Sequence, residues 1–324
     1  MSEPRFELTA GSLRSTTANP AGLPTRFVVE RDMDRPADGL RIRFGQAVSV
    51  SPGDPVTLAL GYDATDTVFT GEVVTVRPGP TGTAVAALGS TLALLRLRVS
   101  ASYDDHTAGA IVRDLADRAG VDTGTVEDSA RLPFYVLDQA VTGHAHAKAL
   151  ADRGGFELYT DRGGALMFHA PQPIGGVTYT YRRDLLGVGG RTVADGLAPT
   201  VGGESPSSQS GQDTTHWLST DDLTGGSGDL LVLDAAARTQ DLADSFAAGR
   251  RTSDQRGRQT VTLRVLGRAE AELGEPCRAG GDLPDALTGA GYVRALRHDL
   301  DVTTGWTTRL TVATGMGLSL GGSL

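Results

Sequence analysis

Through its first hundred residues the chain is cut into short runs rich in valine, threonine, leucine and aromatics, each stopped by a cluster of turn-forming residues. The runs span 26–30, 40–44, 56–62, 68–76 and 84–88, and the breaks include Ser51-Pro52-Gly53-Asp54-Pro55 and Pro78-Gly79-Pro80-Thr81-Gly82. Glycine supplies positive φ and proline presets a turn, so such clusters punctuate strands. β-Branched and aromatic side chains fit a pleated, half-buried surface, and no helix of any length fits here. In 68–76, Val68, Thr70, Glu72, Val74 and Val76 share one face, while the other also carries Phe69 and Val73. Apolarity on both faces suits a strand held between a barrel interior and a neighbouring subunit. Glycine makes up 43 of 324 residues without a fixed period, which excludes collagen and favours a turn-rich β protein.

The pattern then changes. Thr107 is placed to cap a helix over 108–119 with Ile111, Val112, Leu115 and Ala116 on one stripe, and Gly120 is a natural stop. A second helix is expected over 143–152, capped by Thr142 and ended by Gly154-Gly155. A hairpin follows, with arms 156–160 and 165–169 around Asp161-Arg162-Gly163-Gly164. Residues 187–229 are dominated by Gly, Ser, Thr and Asp and are expected as a long loop or linker. A helix over 240–253, with Leu242 and Phe246 on its core face, precedes strands 260–266, 291–300 and 304–313.

These segments predict a mainly β, α+β chain of three parts: a first barrel domain over 1–100, an α/β middle domain over 101–172, and a second barrel domain over 173–324. The last carries the 187–229 loop and one helix.

Several functions are disfavoured. The net charge of −9 opposes nucleic-acid binding, which calls for a basic stripe. The one dense basic stretch, Arg250, Arg251, Arg256 and Arg258, is interrupted by Asp254 and reads as a solvated helix end or subunit contact, with anion binding as the alternative. Residues 1–10 lack the apolar core of a signal peptide, and no apolar run approaches a membrane span, so synthesis in the cytoplasm without membrane insertion is expected. Cys277 is the sole cysteine and reads as a small residue in a turn; it excludes an internal disulfide or a zinc–thiolate site.

Catalytic chemistry is equally thin. His106, His144, His146, His169, His216 and His298 form no metal motif, since His144 and His146 are two apart and a helical metal pair needs a spacing of four. Asp104-Asp105-His106 precedes a helix N-cap, where the helix dipole favours carboxylates. Gly187-Val188-Gly189-Gly190 lacks the strand–turn–helix setting of a dinucleotide loop, and there is no Gly-x-Ser-x-Gly elbow in a credible setting. No catalytic, cofactor-binding or metal-binding residue is assigned, and the chain is expected not to be an enzyme.

Gly53-Asp54-Pro55-Val56-Thr57-Leu58, followed by Phe69-Thr70-Gly71-Glu72-Val73, resembles the first barrel of the late control D family of phage tail proteins. Residues 103–120 are similar to that family's first helix. Ala149-Leu150-Ala151-Asp152-Arg153-Gly154-Gly155-Phe156-Glu157-Leu158 is similar to the stretch that leads into its hairpin. Leu273-Gly274-Glu275-Pro276 looks like a degraded turn of the family. Gly291-Tyr292-Val293 through His298-Asp299-Leu300, then Gly305-Trp306-Thr307-Thr308, resembles its closing hairpin, in which His298 would be structural. The order and spacing of these motifs across 25–313 carry the resemblance. Two departures stand out: the second helix is rich in Ala and His where relatives bury larger side chains, and 202–229 looks expanded.

The resemblance implies a structural baseplate hub of a contractile tail-like particle. Two similar barrels per subunit, taken three times, make a pseudo-six-fold ring that joins a hexameric inner tube to a trimeric spike. The implied partners are two further copies of the chain, the inner tube protein, a spike protein and other baseplate subunits. The sequence ends at Leu324 after the closing hairpin, so the spike is expected as a separate polypeptide, with 315–324 read as either a docking arm or a disordered tail. A hydrolytic, peptidoglycan-cleaving tail component is the alternative.

Overall fold

The computed structural model describes residues 3–173, 175–194, 198–206, 214–218 and 229–314. Two strands that the turn pattern did not announce open the chain, β1 (Arg5–Ala10) and β2 (Leu13–Thr16). β3 (Pro24–Asp32), β4 (Gly39–Phe44), β5 (Pro55–Gly61), β6 (Thr65–Gly79) and β7 (Gly82–Gly89) then follow the five expected runs, with Tyr62 falling just past the end of β5. The expectation of no helix in this region fails at one place. α1 (Thr91–Arg96) forms one short turn because Leu94 is drawn wholly into the core beyond.

The middle segment follows as β8 (Ala101–Thr107), α2 (Ala108–Ala119), β9 (Thr123–Val126), β10 (Arg131–Leu137), α3 (Gly143–Gly154), β11 (Glu157–Thr160) and β12 (Leu166–His169). Both expected caps are present: Thr107 Oγ1 accepts the Ala110 N–H at 3.2 Å and Thr142 Oγ1 accepts that of Ala145 at 3.1 Å. Gly120 and Gly155 end the two helices at φ +68° and +63°, conformations open to glycine at no steric cost. Thr107→Ala and Thr142→Ala are each expected to lower stability by about 1 kcal/mol, read as a shift in the urea midpoint at constant slope.

The expected loop over 187–229 is corrected by the structure. β13 (Val177–Thr180) leads into β14 (Leu185–Thr192), β15 (Ala198–Pro206) and β16 (Thr214–Leu218), and β17 (Asp229–Leu233) begins where the loop was to end. Pairing overrides composition here: β14 lies along the whole length of β18, and β15 is flanked by β16 and β17. α4 (Gln240–Arg256), β18 (Gln259–Leu266), β19 (Pro276–Gly280), β20 (Gly289–Asp301) and β21 (Gly305–Thr314) complete the chain. The proposed docking arm 315–324 lies outside the described residues.

A 13-stranded sheet runs β14-β18-β21-β20-β3-β4-β7-β6-β5-β1-β2, with β19 and β13 attached beside β20. Its first half curls on itself: β1 and β3 are separated by four strands in the sheet order, yet Phe6 and Phe27 place their ring centroids 4.9 Å apart. β-Bulges help the curl, one between Leu58 and Ala59 and one between Val73 and Thr75. The first bulge also breaks the alternation expected for 68–76, so Val68 and Phe69 are both buried. Gly71 lies where β6 passes closest to β7, and a β-carbon there would stand 2.1 Å from the Leu88 carbonyl oxygen. In the second half, the path β13-β19-β20-β21-β18-β14 has its ends joined by the turn after β13, where Tyr181 bridges Leu185. Tyr179 and Leu185 therefore share one core with Val261, Leu263 and Leu310.

β20 joins the halves by pairing with β19 near its start and with β3 near its end. A third core lies between them and off the sheet, built by α2, α3, β10 and β12. α4 belongs to this core as well, with Leu242, Ala243, Phe246 and Ala247 buried in it. Gly249 of α4 is where the helix meets α3, since a β-carbon there would lie 2.0 Å from the Arg153 carbonyl oxygen. Where the three cores meet, Arg31 is 2% exposed and spans the joint. It reaches Asp38 at 3.0 Å, Glu272 at 2.6 Å and the Thr160 carbonyl at 2.6 Å. One guanidinium thus ties β3 to β11 and to the segment before β19, and its fork-shaped donor set suits that task.

Candidate functional site

The titratable residues singled out in the sequence are spread over the molecule, and several have a local structural partner. His106 is exposed at the end of β8, its Nδ1 2.8 Å from the Asp104 carbonyl oxygen. Asp105 is held by Arg131 of β10 through contacts of 2.6 and 2.7 Å, which pull its carboxyl below the usual range, so a cross-strand ion pair and not the α2 dipole occupies it. His146 is buried against Tyr135, with Nε2 within hydrogen-bonding distance of the Asp138 backbone. The neighbouring His144 is held below the usual imidazole range by burial and by Lys148. His169 Nε2 lies 2.9 Å from the Tyr159 hydroxyl. His216 lies in β16 and its side chain is outside the described residues.

His298 is buried between the sheet halves with Nδ1 2.9 Å from Thr308 Oγ1, and burial, with Arg31 nearby, pushes it down to about 3. Cys277 is not in a turn; it is buried in β19, where burial pushes its thiol up to about 12. Gly187-Val188-Gly189-Gly190 lies within β14. Among the described residues, no group of three or more His, Cys, Asp or Glu stands where it could hold a metal ion.

The basic stretch of α4 differs most from its expected place. Arg256 is buried and Arg250 half-buried, each in an ion pair. Arg250 Nη2 binds Asp234 at 2.9 Å, and Arg153 of α3 binds the same carboxylate at 2.8 and 3.0 Å. Burial would push the Asp234 carboxyl up, but the two arginines and the Ala236 N–H more than offset it and hold it low. Arg256 is 1% exposed, donates to the Phe156 carbonyl at 2.9 Å and lies 3.3 Å from Glu157 Oε1. Glu157 also accepts from the Tyr292 hydroxyl and faces Arg294. Around Glu157, the partners Tyr292 and Arg294 come from more than a hundred residues away. The only local signal is a charged residue in the apolar run Phe156-Glu157-Leu158-Tyr159.

The surfaces suited to contact are apolar. Leu218, Leu231 and Leu233 stand together over Gly202 on the outer face of β16-β15-β17, and Leu233 is 80% exposed. Nearby, Phe134, Val136 and Val141 line a groove with Ala145 of α3 and Ala235, its volume about 300 Å³. Contiguous exposed apolar side chains of this kind mark interaction surfaces on folded proteins.

No protein-family model matches the chain, and no curated protein matches it. Its fold, however, has clear counterparts among solved structures. The 43 kDa tail protein of prophage MuSo2 from Shewanella oneidensis superposes with a TM-score of 0.69 at 14% identity, over 96% of this chain and 98% of that one. A tail protein from Neisseria meningitidis MC58 gives a TM-score of 0.75 at 12% identity, over 96% of each chain. The chain therefore has the fold of phage tail proteins. Within that class, it is also similar to the E. coli c3393 protein, described as a type VI secretion component that resembles the T4 tail proteins gp27 and gp5. There the TM-score is 0.62 at 13% identity, over 96% of this chain and 77% of that one. The fold is thus shared with proteins of phage tails and with a component of a type VI secretion system.

Proposed function

We propose that the chain is the structural baseplate hub of a contractile tail-like particle. In that role, three copies form a ring between a hexameric inner tube and a trimeric spike. The observation that carries this reading is that the likeness to the two tail proteins extends over nearly the full length of both chains. Two curled half-sheets in one chain also suit a ring that must present six-fold repetition on one side and three-fold on the other. We read the role as non-enzymatic, because His106, His146, His169, His298 and Asp105 sit in separate local contacts.

The leucine face over Gly202 is then covered by a neighbouring copy in the ring. Light scattering on the purified protein, alone and with its tube and spike partners, is expected to report a trimer. Leu231→Asp combined with Leu233→Asp is expected to leave the circular dichroism unchanged and to abolish the trimer. A stable dimer, or a monomer indifferent to those partners, counts against the hub. Incubation with cell-wall material is expected to release no fragments.

A further inference from the structure

One outward face of the 13-stranded sheet is basic, on a chain whose net charge is −9. Register places Arg264 of β18 opposite Arg309 of β21, and Arg309 opposite Arg297 of β20. Arg297 stands opposite Glu30 of β3, and the same face of β3 and β4 carries Arg26, Arg41 and Arg43. The residues between them, such as Ile42, Leu263, Leu296 and Leu310, are the buried ones, so the arginines point outward. Arg26 and Arg297 bind Asp299 at 2.7 and 3.1 Å, and Arg41 and Arg297 share Glu30. The other carboxylates here are also engaged: Asp32 lies 3.6 Å from Arg35, and Asp301 accepts the Thr303 N–H at 2.9 Å. Arg43, Arg264 and Arg309 are exposed and have no acidic partner among the described residues. With Arg35, seven arginines thus face four carboxylates.

Like charges directly opposite one another destabilise a sheet, so the row Arg264-Arg309-Arg297 is unfavourable in a lone copy. The opposite sign gathers in the middle segment, where 101–172 holds eleven acids and six bases. Asp117 and Asp122 are exposed there on either side of the Gly120 cap of α2, without an ion pair among the described residues. Asp117 lies in the last turn of α2, where the helix dipole disfavours a carboxylate. Each placement is unfavourable alone, and bringing the two together relieves both. We infer that the arginine face of one copy docks on the α2 end of the next, with Arg264 and Arg309 against Asp117 and Asp122. Two different patches meet, so the contact is head-to-tail, the kind that can close a ring. The inference rests on the ring proposed above and names a charged part of its joint. Nucleic acid is the poorer occupant, because outside this face acids outnumber bases by more than in the whole chain.

Sedimentation velocity of the full-length protein at low and high salt tests it. Self-association of the wild type is expected to weaken as salt rises, because exposed charges are screened. Arg264→Glu with Arg309→Glu is expected to weaken it by on the order of ten-fold or more at low salt, since like charges then meet across the joint. Adding Asp117→Arg and Asp122→Arg to that same chain is expected to recover most of the loss. Each variant is checked for an unchanged circular dichroism spectrum. A trimer that persists unchanged in the arginine variant overturns this contact and leaves the hub standing. A quadruple variant that recovers nothing also overturns it. A wild type that stays monomeric even with tube and spike partners removes ring and contact together. Duplex DNA bound at low salt and lost in the arginine variant, with self-association untouched, would assign the face to nucleic acid and sink the inference.

Discussion

Glu157→Ala is expected to destabilise the fold by about 3–5 kcal/mol, because removing one partner of a buried ion pair strands the other without compensation. The carboxylate is 1% exposed and faces Arg256, also 1% exposed, and Arg294. It is also where the Tyr292 hydroxyl of β20 finds its acceptor. These contacts fasten β11, α4 and β20 to one point, so their loss loosens the middle core from the second half of the sheet. Against a typical total of about 5–15 kcal/mol, the loss is a large share of the whole. Guanidinium denaturation of the variant beside wild type measures it. Pairing Glu157→Leu with Arg256→Met is expected to recover much of the loss, since well-packed apolar replacements of buried ion pairs are often neutral. A loss below about 1 kcal/mol for Glu157→Ala would show that water or an unseen partner already satisfies the arginines.

Elements governed by local chemistry were legible in the sequence. The caps Thr107 and Thr142, and the helix stops Gly120 and Gly155, act within one helical turn, and α2 starts and ends where they place it. The runs of the first half were likewise visible, because turn residues bound them on both sides. β1 was not: its outward face carries Arg5, Glu7 and Thr9, so a polar average masked the inward Phe6, Leu8 and Ala10. β14 was hidden more deeply. Its Gly187, Gly189 and Gly190 have no strand preference, and only pairing with β18, some seventy residues later, makes it a strand. The buried arginines of α4 show the same limit. Their charge argued for solvent, and only Glu157 of β11 and Asp234 just after β17 make their burial tolerable. The tail-protein fold was read from motif order across the chain, and the solved tail proteins share that fold.

Acidification should weaken the fold well before its carboxylates are protonated, and His298 is the cause. The ring is 1% exposed, lies beside Thr308 and Trp306, and senses the charge of Arg31. Burial first, and Arg31 second, lower its pKa from 6.5 to about 3. Between those values the unfolded chain holds a proton that the folded chain refuses, so unfolding takes up protons and stability falls as pH falls. The slope approaches about 1.4 kcal/mol per pH unit below the unfolded pKa, and the full benefit is present only above it. His144, lowered by burial and by Lys148, adds a contribution of the same sign. The paired carboxylates Asp234 and Asp299, both held low, stay charged through this window; their benefit is lost only as pH drops through the usual carboxylate range of about 4. Urea midpoints should therefore decline between about pH 6.5 and 5 in wild type. His298→Gln, which stays neutral and can still hydrogen-bond Thr308, should lose most of that slope at some cost in stability near neutrality. Equal slopes in the two proteins would mean that His298 is protonated in the folded state, and its burial would then need a compensating anion that the described residues do not provide.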